Sequence, residues 1–108
     1  MNKQSVSEII AAEKAVILYF FNEHCSSCKS LREKLQKKMD ELFPKILFLL
    51  VNAATDTEIP ANFSVFSSPT ILLFFDNKEF LRKSKFVAVE EFMFEIQRLY
   101  DLYFEENE

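Results

Sequence analysis

At 108 residues, 49% hydrophobic and 28% charged, the chain is sized for one domain (1–108), with enough apolar content for a core that needs no disulfide staples. A net charge of −4 and a pI near 5.1 speak against a nucleic-acid or anionic-membrane surface, since those partners need clustered positive charge. The apolar runs are far shorter than the roughly 20 residues of a membrane span, and the polar start 1–5 followed by Glu8 and Glu13 is unlike a signal peptide, so the chain reads as cytoplasmic.

In chain order, Ser5-Val6-Ser7-Glu8 has capping-box spacing and opens a short helix through Ile9, Ile10 and Ala12 to about Glu13. The run 16–21 is uncharged and rich in β-branched and aromatic residues, which suits a strand buried on both faces. It ends in a short loop with Cys25 and Cys28, and a helix pattern starts at once. Cys28, Leu31, Leu35, Met39 and Leu42 recur at steps of three and four, so the second cysteine lies on the buried stripe and the first at the helix N-terminus. Pro44 marks the helix end. A second fully apolar run, 46–51, reads as another central strand.

Between residues 52 and 68, Thr55, Asp56 and Thr57 offer caps for a short helix through Ala61, Asn62 and Phe63. Ser68-Pro69-Thr70 leads into a strand over 71–75. Asp76-Asn77-Lys78 then turns into a strand over about 79–85, making a hairpin. Val89, Phe92, Met93, Ile96, Leu99, Tyr100 and Tyr103 form the apolar face of a last helix, and the acidic tail 105–108 is expected to fray. The order α-β-α-β-α-β-β-α makes the first two strands parallel, because a helix joins them, and the hairpin antiparallel.

The chain has no glycine and 13 phenylalanines. Left-handed backbone positions therefore fall to residues such as Asn22, Asn52, Asn62 and Asn77. Phe63, Val65, Phe66 and Phe94 are read as core. Lys29, Arg32, Lys34, Lys37 and Lys38 are read as a solvated helix face rather than a docking patch for acidic partners.

An apolar strand, Cys-x-x-Cys opening a helix, a second apolar strand, Ser-Pro-Thr, a hairpin and a terminal helix together resemble the thioredoxin family over nearly the whole chain. The resemblance implies an α/β fold with a mixed four-stranded sheet and helices on both faces, the family's extra first strand being absent. It also implies a cis peptide at Ser68-Pro69 facing the cysteines. Several family positions differ. His24 replaces the tryptophan before the first cysteine, Ser26-Ser27 replaces Gly-Pro, and Tyr19 and Phe48 take the places of a buried acid and its lysine. The helix-bending proline is missing, and the glycines of the hairpin and last strand correspond to Asn77 or Lys78 and about Phe86.

The activity implied is reduction of protein disulfides. Cys25 at the helix N-terminus is the nucleophile, its thiolate stabilised by unpaired N–H groups and the dipole, and Cys28 resolves the mixed disulfide. No cofactor or metal is called for. Partners are disulfide-containing proteins and a reductant such as a thioredoxin-reductase-like enzyme, with neither nucleic acid nor membrane. His24, Ser26, Ser68, Pro69 and Thr70 are the expected substrate contacts. His24 is read as a rim residue in preference to a cationic aid to the Cys25 thiolate. Other readings stay open: an exported disulfide oxidase or isomerase, a non-catalytic binding module, two ordinary buried cysteines, or a metal site that would need ligands from a second chain.

Overall fold

The computed structural model describes residues 3–105. Its elements are α1 (Lys3–Ala12), β1 (Ala15–Phe21), α2 (Ser26–Leu42), β2 (Leu47–Asn52), α3 (Glu58–Asn62), β3 (Thr70–Phe75), β4 (Lys78–Ser84) and α4 (Val89–Tyr100), followed by a π-helical turn over Asp101–Glu105. The four strands form one sheet in the order β2-β1-β3-β4. β1 runs parallel to β2 and antiparallel to β3, and β3 and β4 form the hairpin.

The period-two alternation of β1 divides the core. Ala15, Ile17 and Tyr19 join Ile71, Leu73 and Phe75 on one face, beneath Leu35 and Met39 of α2 and Phe92, Met93 and Ile96 of α4. Val16, Leu18 and Phe20 join Leu72 and Phe74 on the other, beneath Val6 and Ile10 of α1 and Ile59 of α3. With both faces covered, β1 and β3 are almost wholly buried, which their uncharged sequences require.

β2 departs from expectation. It is an edge strand rather than a central one, with Leu47 exposed and Phe48, Leu49 and Leu50 half-buried. Its apolar run serves an edge because helices and neighbouring side chains cover both faces: Phe48 stacks on Tyr19 at 5.9 Å, and Leu49 and Leu50 pack into opposite core clusters.

Other boundaries shift for local reasons. Ser5 lies inside α1 rather than at its N-cap. Leu42 is exposed, and Phe43 just past α2 takes the buried place, its N–H bonded to the Met39 carbonyl at 2.8 Å. The last helix stops at Tyr100, and the π turn sets the Tyr103 and Phe104 rings 5.2 and 6.3 Å from Phe75. The tail beyond Glu105 lies outside the described residues. Phe63 is half-buried and Val65 buried, but Phe66 and Phe94 are 88% and 68% exposed and are not core.

Among the described residues, positive φ falls on Ser64, Asp76, Asn77 and Lys85. Asp76 (51°) and Asn77 (67°) form the two-residue primed turn that matches the twist of a hairpin. Asn22 and Asn52 do not adopt that conformation. Each uses its side-chain carbonyl instead, accepting the N–H of His24 at 2.9 Å and of Ala54 at 3.0 Å. Asn62 ends α3. Lys85 (66°), next to the expected Phe86, makes the left-handed turn after β4 at a cost of about 1–2 kcal/mol relative to glycine. Arg82 fastens the segment after α3 by donating to the carbonyls of Phe63 at 2.8 Å and Ser64 at 3.1 Å while paired with Glu79.

Candidate functional site

The end of β1 delivers the cysteines. Asn22 closes the strand: its side chain accepts from His24, and its backbone carbonyl accepts the Cys25 N–H at 3.2 Å. Cys25 is itself the N-cap of α2, with extended backbone (φ −92°, ψ 93°) and no side-chain cap. The first-turn N–H groups and the positive end of the helix dipole therefore face its sulfur with no capping side chain or acidic residue competing. Cys28, one turn on, donates its N–H to the Cys25 carbonyl at 3.1 Å. The two are joined as a disulfide with a Cα–Cα distance of 5.3 Å. Cys25 is half-buried and Cys28 is 2% exposed. Ser27 Oγ stands 3.6 Å from the Cys25 sulfur, and Ser26 is exposed beside it.

Tyr19 lies directly under the pair. Fully buried, it donates its hydroxyl to the Cys28 carbonyl at 2.6 Å. Burial pushes the phenol up to about 12, with the Arg32 charge pulling the other way, so Tyr19 stays protonated across the physiological range. It is a donor that anchors the first turn of α2 and is no proton acceptor. Arg32 itself is half-buried, unlike the exposed Lys29, Lys34 and Lys37, and Lys38 pairs with Glu90 at 3.5 Å. The solvated-face expectation thus fails at Arg32 and Lys38, both half-buried. For Arg32, the spacing from Cys28 was the available signal, since residues four apart share a helix face.

The Ser68-Pro69 peptide is cis. Pro69 is buried, and its carbonyl accepts the Lys85 N–H at 2.9 Å, which ties the loop to the end of β4. Thr70 is 2% exposed, and its hydroxyl donates to the Ser67 carbonyl at 2.7 Å, so its side chain braces the loop from inside. Exposed His24 and half-buried Ser68 line the same open cleft of about 420 Å³, together with Ala53, Pro60, Val65 and the exposed Phe66. Among the described residues, no group of three or more His, Cys, Asp or Glu comes together in a way that could hold a metal ion, and no helix is long and apolar enough to cross a membrane.

Chemically, the arrangement pairs an accessible sulfur at a helix N-terminus with a shielded one in bonding range. In the reduced protein at neutral pH, Cys25 is expected to alkylate at least about tenfold faster than Cys28, because it alone is both reachable and stabilised as thiolate. Peptide mapping after a short iodoacetamide pulse reads this out, and equal labelling would count against the assignment.

A sequence profile of the family described as Thioredoxin matches residues 1–96. The thioredoxin-like protein YdfQ of Bacillus subtilis is 34% identical over 99 residues, which span 92% of this chain and 88% of that protein. Thioredoxin of Mycoplasma genitalium is 33% identical over 90 residues, spanning 78% of this chain and 87% of its own. The fold superposes on Plasmodium falciparum thioredoxin with a TM-score of 0.79 at 18% identity, covering 90% of this chain and 93% of the other. With a matching profile, a matching fold and a cysteine pair able to open and close a disulfide, the chain belongs to the thioredoxin family.

Proposed function

We propose that the protein reduces disulfides of protein substrates through a Cys25/Cys28 dithiol–disulfide cycle. The observation that carries the reading is the asymmetry of the pair: Cys25 half-buried at the α2 N-terminus and Cys28 shielded behind it, the two already bonded. The Cys25 thiolate attacks one sulfur of a substrate disulfide, and the other sulfur leaves with the bonding pair and takes a proton. Cys28 then loses its proton and attacks Cys25. The Cys25–Cys28 bond forms, the mixed disulfide breaks, and the second substrate thiol is released. Two electrons pass from protein to substrate. The cycle closes when an external dithiol donor, such as a thioredoxin-reductase-like enzyme, reduces the pair in a reducing cytosol.

The cleft beside the pair supports a protein substrate. A disulfide-bearing segment laid between His24 and Ser68 presents one side chain toward Ala53, Val65 and Phe66 and the next toward solvent, as an extended strand does. His24 serves as rim, Ser26 flanks the reacting sulfur, and Pro69 fixes the Ser68 backbone. The test is catalysis: with dithiothreitol as donor, substoichiometric protein should accelerate the reduction of insulin or another compact disulfide protein. A rate equal to that of dithiothreitol alone rejects the reading.

A further inference from the structure

Arg32 stands one turn beyond Cys28 on α2, and its half-buried side chain holds an Nε shielded from solvent without a hydrogen-bond partner. Such a group is costly to bury unless something compensates it. Side chains in a helix lean toward its N-terminus, so the Arg32 stem lies back over the turn that carries Cys28. Tyr19 locates the charge more closely. Its hydroxyl is 2.6 Å from the Cys28 carbonyl oxygen, and the Arg32 charge acts on that same hydroxyl. A buried thiol and a half-buried permanent cation thus share one neighbourhood.

Among the described residues, the remaining groups on that side of the sheet are neutralised, apolar or solvated. Lys83, in the same cross-strand row as Tyr19 and Ile71, is bound to Glu95 of α4 at 2.7 Å. Lys38 is paired with Glu90 of α4, and Tyr100 packs on Phe43 beyond the far end of α2. β2 and β3 contribute Phe48, Leu50 and Ile71. Glu23, His24 and Lys29 are exposed, where water and salt weaken their fields.

We infer that Arg32 is a positioning residue for the resolving step, its guanidinium stabilising the Cys28 thiolate as it forms. The inference rests on the proposed disulfide cycle and names the group that assists its second half. In the mixed disulfide, the Cys28 S–H gives its proton to water or hydroxide. The thiolate pair forms the Cys28–Cys25 bond, the bond from Cys25 to the substrate breaks, and the departing sulfur takes a proton from water. Tyr19, the residue hydrogen-bonded to Cys28, is itself a donor, and Glu95, the carboxylate held on Lys83 in the Tyr19 row, is committed to that lysine. A nearby cation performs the alternative task of lowering the thiol pKa, so that solvent suffices as acceptor.

The test uses a mixed disulfide between Cys25 and a chromogenic aromatic thiol, formed at about pH 4, where Cys28 is protonated, and jumped to between about pH 6 and 9. In the wild type, release should speed up with pH toward the Cys28 pKa. Arg32→Gln should move that profile up by about 0.5–1 pH unit, slowing release roughly 3–10-fold at pH 7, and Arg32→Lys should bring it back. An Arg32→Gln profile that overlays the wild type overturns the inference, as does an Arg32→Lys profile that matches Arg32→Gln. Thiolate absorbance of Cys28 in a Cys25→Ser background gives the same midpoint without turnover, so failure of the disulfide-reduction reading and failure of the Arg32 assignment are told apart. Should Arg32→Gln not fold, Arg32→Met in the Cys25→Ser background decides. Its Cys28 midpoint should lie about 0.5–1 pH unit above that of Cys25→Ser alone, and an unchanged midpoint overturns the assignment.

Discussion

Cys25→Ser is expected to reduce catalysed disulfide turnover to background, whereas Cys28→Ser is expected to accumulate a covalent complex with its substrate. The two outcomes differ because the two sulfurs have different positions. Cys25 caps α2 and reaches solvent, so its loss removes the nucleophile, and a hydroxyl at that place forms no disulfide. Cys28 is 2% exposed and meets only a sulfur already attached to Cys25. Without it the first exchange proceeds and the second does not, leaving substrate bound through Cys25. Non-reducing electrophoresis of each variant with an excess of disulfide protein reads both outcomes. Covalent complexes on Cys25→Ser in preference to Cys28→Ser would reverse the assignment of roles.

Phe75→Ala is expected to cost about 3–5 kcal/mol, a large share of the roughly 5–15 kcal/mol that holds such a domain together. Phe75 ends β3 at 1% exposure and is met by three rings, Phe80 at 5.7 Å, Tyr103 at 5.2 Å and Phe104 at 6.3 Å. Truncation removes the surface on which the π turn closes, and a gap bordered by rigid rings collapses poorly. Phe86→Ala is the contrast: at 95% exposure it should change stability by no more than about 0.5 kcal/mol. Urea unfolding of both variants makes the comparison. A loss below about 1 kcal/mol at Phe75 would mean that the terminal turn does not depend on this contact.

The order of elements was legible because each run has one period. Residues 16–21 admit only a strand covered on both faces, and the three- and four-residue steps from Cys28 admit only a helix. The rank of β2 in the sheet was not legible, since an apolar edge strand flanked by helices reads like a central one. The backbone behaviour of the asparagines was half legible. Asn77 takes the left-handed turn, while Asn22 and Asn52 meet the same need for a bend with their side chains, a choice set by the hydrogen-bond partners two residues on. At the site, Cys25, Cys28 and the Ser68-Pro69 loop could be read from spacing and resemblance. The inward roles of Thr70 and Tyr19, and the half-buried setting of Arg32, depend on side-chain directions that appear only when β1, α2 and the loop are brought together.

A cysteine pair that donates electrons to protein disulfides must hold its own disulfide at a low equilibrium reduction potential. Equilibration of the Cys25–Cys28 disulfide against graded dithiothreitol or glutathione buffers, with alkylation and mass measurement, gives the value. Thiol–disulfide proteins poised as reductants lie near about −270 mV and strong oxidants near about −120 mV, a gap of roughly 7 kcal/mol for two electrons. A potential close to about −270 mV is the predicted result, and one close to about −120 mV would contradict the account by making the protein an oxidant.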